Sequence, residues 1–380
     1  MKVGVIIDML DEKKTGVGNH ISKLVENLPT SGTKSNYTLI HHDMSLIAPF
    51  DKNTFATLIV NTPKIPLGSV IRKILLLPRK INKQNFDVVH DTYQLGPLFI
   101  KGNTCSKVVT VYDITPILYP ALNPIVNIRH RILLPRVLYS VDKIITISEC
   151  TKKDIVKFYK IPEDKIKVIP LAPDPIYQPL SRDIIAPILS KYGVCAPYIL
   201  YVGSLEPRKN IQTLIQGFAN IKKRGLNHKL IIVGNKKWEY SKLIRIVAES
   251  GLHNDVIFTG YLPDEDLPAL YNGADLFVYP SLYEGFGLPP LEAMACGTPV
   301  ITSSTSSLPE VVGNAGIMVD PQDLDQLSDA IYHVLTDENL RLSLIEKGLE
   351  RSKQFSWERT ATETWKVYDE VAAQPKCTQR

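Results

Sequence analysis

Strand-like and helix-like stretches alternate along both halves of this chain, and the alternation breaks only where residues 170–179 carry four prolines in ten positions. In the first half, residues 3–8, 88–90, 108–112, 143–147 and 166–169 read as short β-branched strands; in the second, residues 198–202, 230–233, 256–258, 276–279 and 300–302 do. Helical periodicity fills intervals such as 211–222 and 324–335. Strands separated by helices of this length form parallel sheets covered on both faces, which predicts an α/β chain of two doubly wound, Rossmann-like domains. The proline segment places them at residues 1–175 and 176–355. Open sheets bind ligands beyond the carboxyl ends of their strands, so the two domains are expected to face each other across a ligand-holding cleft. The length of 380 residues, too long for one core, agrees with two domains.

Composition removes several classes. No apolar run approaches the ~18 residues of a membrane span, and the opening residues 1–8 are too short and too soon acidic for a secretory signal, so a cytoplasmic location is expected. Five cysteines without a C-x-x-C pair suggest reduced, mostly buried thiols rather than disulfides or zinc. The net charge of +5 is uneven: residues 1–180 hold 24 Lys and Arg against 15 Asp and Glu, and the remainder hold 20 against 24. Part of the basic surplus lies in residues 71–83, where cations bracket an apolar cluster. That composition suits a segment resting on an anionic membrane at the inner face, and equally an amphipathic element with a solvated basic side. It contains no aromatic residue, so nucleic acid is not an expected partner.

The segment 281–292 carries the chemistry. Glu284 and Glu292 flank Gly285-Phe286-Gly287-Leu288, after an apolar strand and before a helix opening near Pro289 and Pro290. Glycines admit close backbone approach and a helix start offers N–H donors, which suits a polar, partly anionic ligand. Arg208 and Lys209 follow another strand and precede a helix, so an anion such as a diphosphate would meet two cations there. Gly16 and Gly18 also fit phosphate approach, but Ile21 stands where a dinucleotide fingerprint needs its third glycine, which excludes a NAD site. Asp264-Glu265-Asp266 reads as an acidic helix start rather than a metal motif, and His90 ends a strand, either as an acceptor-side residue or as a core histidine.

Together with Asp8, residues 15–19, Val111-Tyr112-Asp113-Ile114-Thr115, the stretch 201–210 and Phe355-Ser356-Trp357-Glu358, these segments resemble glycosyltransferase family 4, in the right order from about residue 1 to 372. The resemblance implies a GT-B fold, retaining transfer from a nucleotide sugar to a glycan or lipid-linked acceptor, no metal or other cofactor, and a C-terminal helix, residues 356–373, crossing back to the first domain. By the same resemblance Lys209 contacts the diphosphate, with Arg208 beside it, and Ser204 stands where many members have another arginine. Glu292 would hold the ribose, Glu284 the donor sugar with the N–H groups of Gly285, Phe286, Gly287 and Leu288, and Tyr261 would lie near the base. Gly16 and Gly18 would touch donor phosphate or acceptor. Asp113 belongs to a motif in which Tyr112 replaces the usual histidine; a phenol cannot carry protons near neutrality but can donate one hydrogen bond. The Gly-Leu-Pro-Pro variant after Phe286 favours mannose, hence GDP-mannose. The alternatives are a UDP-glucose or UDP-N-acetylhexosamine donor, or a silent nucleotide-sugar-binding scaffold.

Overall fold

The computed structural model describes residues 1–11, 16–29, 36–43, 50, 55–95, 105–235 and 240–374. The chain divides into two compact units, one of residues 1–171 with 357 onward, the other of residues 172–356. The division falls inside the proline-rich segment.

The first unit is built on a seven-stranded parallel sheet. Its strands are β1 (Lys2–Ile6), β2 (Asn36–His41), β3 (Ala56–Ile59), β4 (Val88–Asp91), β5 (Ser106–Val111), β6 (Lys143–Thr146) and β7 (Ile166–Val168), in the order β3-β2-β1-β4-β5-β6-β7. Strands β2 and β3 were not legible as strands. β2, Asn-Tyr-Thr-Leu-Ile-His, breaks its apolar run with polar residues, and β3 is an edge strand of two exposed and two half-buried residues. Central strands read clearly because both of their faces are buried: Val3, Val5, Val88 and Val108 are all at or below 1% exposure.

The helix Trp357–Ala373 belongs to this first unit. Ala361, Val367, Tyr368 and Val371 share a core with Val3, Val5, Val88 and Val108, each large side chain contributing roughly 1.5–3 kcal/mol of burial. Polar ties fix its register: Ser106 Oγ donates to Val371 O at 2.8 Å, Thr360 Oγ1 to Pro170 O at 2.7 Å, and Lys143 pairs with Glu370 at 2.6 Å. His90 is part of this packing, which corrects its acceptor-side reading. It is fully buried, with Nδ1 at 2.7 Å from the Tyr368 hydroxyl and Nε2 at 2.8 Å from Thr110 Oγ1. Burial pushes its pKa down to about 3, so it is a neutral core histidine.

The basic segment 71–83 continues a helix that starts at Gly68–Ile71, widens to π geometry over Arg72–Leu76 and resumes at Leu77–Asn82. The widening precedes Pro78, which has no N–H to offer the preceding turn. Ile65, Leu67, Val70, Ile74 and Leu75 are 42–73% exposed, whereas Leu77 and Ile81 are buried. Arg72 is not a surface cation: it is 2% exposed and forks onto Asp8 at 2.5 and 2.8 Å, while its Nε donates to Val60 O.

The second unit holds a six-stranded parallel sheet of β8 (Tyr198–Val202), β9 (Lys229–Val233), β10 (Val256–Gly260), β11 (Leu276–Tyr279), β12 (Val300–Ser303) and β13 (Ile317–Val319), ordered β10-β9-β8-β11-β12-β13. Only the three-residue edge strand β13 went unrecognised in the sequence. Chain order reverses between β1 and β4 in the first sheet and between β8 and β11 in the second, the switch points at which such sheets open a crevice. Of the cysteines among the described residues, Cys105 and Cys296 are buried, Cys150 is half-buried and Cys195 is exposed; none of the four is in a disulfide, and fewer are buried than expected.

Candidate active site

Arg208 and Lys209 leave the carboxyl end of β8 and Glu284 that of β11, so the switch point of the second sheet brings them together. A short turn, Pro207–Lys209, ends at Asn210, whose left-handed backbone (φ 57°) suits asparagine. The Asn210 amide donates to Pro280 O at 3.2 Å and Pro321 O at 2.7 Å, which pins the turn against the β11 loop. The Lys209 side chain thereby points inward. Its Nζ lies 2.6 Å from Glu284 Oε1 and 2.6 Å from the Tyr279 hydroxyl, and 5.0 Å from the centre of the Tyr279 ring. Arg208 reaches Glu284 Oε2 at 3.0 Å and Tyr283 O at 2.9 Å through Nη1, and Glu206 at 2.8 Å through Nε.

Two cations and two carboxylates therefore form one network. Burial would raise the pKa of Glu284, but Lys209 and Arg208 overcome it and hold the carboxyl at about 2. Burial pushes the Lys209 ammonium down while Glu284 pulls it back up. The cations are held in place before any ligand arrives, which is the preorganisation that stabilises developing negative charge.

The loop between β11 and the helix Leu288–Ala295 has its carbonyls tied down. Ser303 Oγ donates to Ser281 O at 2.5 Å, Thr305 Oγ1 to Leu282 O at 3.2 Å, and Ser307 Oγ lies 2.9 Å from Glu284 O and 2.6 Å from Phe286 O. Gly287, with φ 120°, precedes the helix, and a Cβ there would meet Leu308 Cδ2 at 2.8 Å, so only glycine fits. The helix starts at Leu288, which puts Glu292 at its fifth position, beyond the first three residues. Glu292 accepts from the Tyr271 hydroxyl at 2.9 Å. Burial, with Asp264 and Asp174 adding, pushes its pKa up to about 7.

Other expected residues fall elsewhere. The carbonyl of Ser204 accepts from the Tyr201 hydroxyl at 3.0 Å, and Tyr261, 49% exposed, lies just beyond β10. Asp266 stands immediately before the helix Leu267–Gly273 but makes no side-chain cap to it; its carboxylate is held instead by Lys191 at 2.7 Å and by the Tyr192 hydroxyl, at the end of the helix Arg182–Lys191. In the first unit Gly16 and Gly18 are not a free loop: the helix Gly16–Glu26 begins at Gly16, and Thr15 lies outside the described residues. Asp113 Oδ1 caps the Thr115 N–H at 2.8 Å. Tyr112 is buried, its hydroxyl 2.5 Å from Nδ1 of His20, a residue the sequence reading passed over. His20 is packed edge-on to Tyr112 and 5.6 Å from the Trp357 ring; burial drives its pKa down to about 3. An imidazole thus stands beside the phenol that replaces one. The only sequence signal was a histidine on the inner face of the first helix, beside Ile21 and Leu24.

The profile described as Glycosyltransferase Family 4 matches residues 15–175, and that of Glycosyl transferases group 1 matches residues 195–351. Over 277 residues the chain is 39% identical to O-antigen chain mannosyltransferase B of Escherichia coli, covering 72% of this chain and 73% of that one. The chain belongs to glycosyltransferase family 4. The serotype-specific mannosyltransferase WbdA of Escherichia coli matches this glycosyltransferase at 35% identity over 225 residues, 58% of this chain but only 28% of that longer protein. Among solved structures, sucrose-phosphate synthase from Thermosynechococcus elongatus superposes with a TM-score of 0.77 at 22% identity, covering 98% of this chain and 99% of that one. Anabaena HepE in complex with UDP and glucose superposes with a TM-score of 0.76 at 19% identity over 97% of this chain and all of that one. These neighbours establish the two-domain α/β fold of GT-B transferases. The protein is a hexosyltransferase.

Proposed function

We propose that this glycosyltransferase moves mannose from GDP-mannose to a glycan or lipid-linked acceptor in cell-surface polysaccharide synthesis, with retention of configuration. The observation that carries the donor is the 39% identity to an O-antigen chain mannosyltransferase over nearly three quarters of both chains. The buried Lys209–Glu284–Arg208 network supports turnover over a silent scaffold, since it fixes two cations where negative charge would develop on a departing diphosphate. In this reading Lys209 and Arg208 meet the diphosphate, a cation at 4 Å contributing about 4 kcal/mol at an effective dielectric of 20. Glu292 holds the ribose, and Glu284 orients both the cations and the donor sugar.

Both Glu284 oxygens are engaged by cations, which favours a front-face route over a covalent one. The bond from the anomeric carbon to phosphate oxygen breaks, the acceptor oxygen bonds on the same face, and its proton passes to the departing diphosphate. The two side-chain cations supply the charge stabilisation, so no metal is needed. Incubation with GDP-mannose, UDP-glucose or UDP-N-acetylglucosamine and an aryl α-mannoside, with EDTA present, is expected to yield an α-mannosylated product from GDP-mannose alone. A UDP-sugar product would replace the donor, an inverted product or covalent adduct would replace the mechanism, and no turnover would favour the scaffold.

The acceptor chemistry fits attachment at an anionic membrane. The exposed apolar side chains of residues 65–75, with Lys73, Arg79 and Lys80 nearby, support this, and no helix among the described residues is long and apolar enough to cross a membrane. The protein is expected to sediment with phosphatidylglycerol vesicles and less with phosphatidylcholine, and a Leu67→Ser/Ile74→Ser variant to lose most of that binding; equal sedimentation with both lipids, or an unaffected variant, would count against it.

A further inference from the structure

Ser307 is fully buried and reaches no solvent, yet its hydroxyl sits between two carbonyls of the loop that carries Glu284. A trans peptide sets each C=O antiparallel to the next residue's N–H. Drawing Glu284 O and Phe286 O toward Ser307 therefore turns the N–H groups of Gly285 and Gly287 away from it. Its neighbour Ser306, held in the left-handed region at φ 56°, accepts the Glu284 N–H at 3.0 Å. Ser303 and Thr305 hold the carbonyls of Ser281 and Leu282, and Arg208 that of Tyr283. The carbonyls of residues 281–283 thus each have a side-chain donor of the same unit, and the single Ser307 hydroxyl proton is shared between those of Glu284 and Phe286. The helix Leu288–Ala295 that follows opens Leu-Pro-Pro, so Leu288 is the one residue of its first three that carries an N–H, and the glycine before it offers no side-chain cap.

We propose that Ser307, assisted by Ser306, is a positioning residue for the transfer reaction: it fixes the peptide planes of residues 284–287 so that the N–H groups of Gly287 and Leu288 present donors to the diphosphate of the nucleotide sugar. This rests on the nucleotide-sugar reading above. Ser307 itself touches no ligand; it determines which side of the loop carries donors and which carries acceptors. A loop free to flip one peptide would show a carbonyl to the diphosphate, converting an attraction into a repulsion.

The test separates diphosphate from nucleoside. Calorimetric titration of wild type and Ser307→Ala with GDP and with guanosine, or with UDP and uridine if the wild type prefers them, is expected to show about a tenfold loss of diphosphate affinity in the variant, the worth of one charge-assisted hydrogen bond. Nucleoside affinity should stay within about twofold, because the ribose carboxylate lies a helical turn away. Equal losses for both ligands would show general loosening and overturn the proposal, as would no loss for either. Ser306→Ala, at a half-buried and more tolerant position, gives a second reading: it should weaken GDP binding by a smaller factor with guanosine again unchanged, and a failure to separate the two ligands there would also overturn the proposal. A wild type that binds neither ligand would overturn the nucleotide-pocket reading and this inference with it, whereas a wild type that binds both while the variants match it would overturn this inference alone.

Discussion

Replacing Lys209 by alanine is expected to lower kcat for sugar transfer on the order of 10²- to 10³-fold, the loss seen when one preorganised donor to developing negative charge is removed. The reason lies in the environment of the ammonium group. It is 6% exposed, 2.6 Å from both Glu284 and the Tyr279 hydroxyl, and so rigidly placed that its charge costs little reorganisation when the diphosphate departs. Arg208 remains in the variant to hold Glu284, which keeps the carboxylate from being stranded without a cation and should let the protein fold. The measurement is transfer at saturating donor, with thermal melting to show that the fold persists. A folded Lys209→Ala protein with full kcat would remove this lysine from the chemistry.

Glu292→Ala is expected to weaken GDP binding about a hundredfold, the worth of two charge-assisted hydrogen bonds from ribose hydroxyls after desolvation is counted. The same carboxylate should also confer a pH dependence. Burial, with Asp264 and Asp174 adding and the Tyr271 hydroxyl opposing, pushes its pKa up to about 7, so it is protonated below neutrality and can then accept only one hydroxyl well. Nucleoside affinity should therefore rise with pH, about tenfold between pH 6 and pH 8, as the ionised fraction grows. Guanosine is the right probe because it carries no phosphate to titrate in that window. Glu292→Gln should bind more weakly and show a flat profile; a wild-type profile equally flat, or a slope that survives in the glutamine variant, would place the ribose elsewhere.

Much of this was legible in the residues. Strands with both faces buried, such as β1, β8 and β11, announce themselves as unbroken apolar runs, and the alternation with helices dictated parallel sheets. Edge strands β3 and β13 did not, because a strand covered on one side or only three residues long carries no distinctive pattern. The residues of the 284–292 loop and the Arg208-Lys209 pair were found because glycines, carboxylates and cations at a strand end have few other uses.

Local chemistry by itself determined the fold class, the family and the residue types of the candidate site. Tertiary structure decided how those residues act on one another. That Lys209 and Arg208 both close on Glu284 depends on β8 and β11 being neighbours although 73 residues separate the end of β8 at Val202 from the start of β11 at Leu276, a pairing set by sheet order rather than by spacing. That His90 belongs to the core depends on the C-terminal helix bringing Tyr368 to it from 278 residues away. That His20 meets Tyr112 depends on a helix face and a strand end arriving at the same point. Periodicity tells which side of an element is buried, but hydrogen-bond partners distant in sequence are chosen only when the sheets and helices pack.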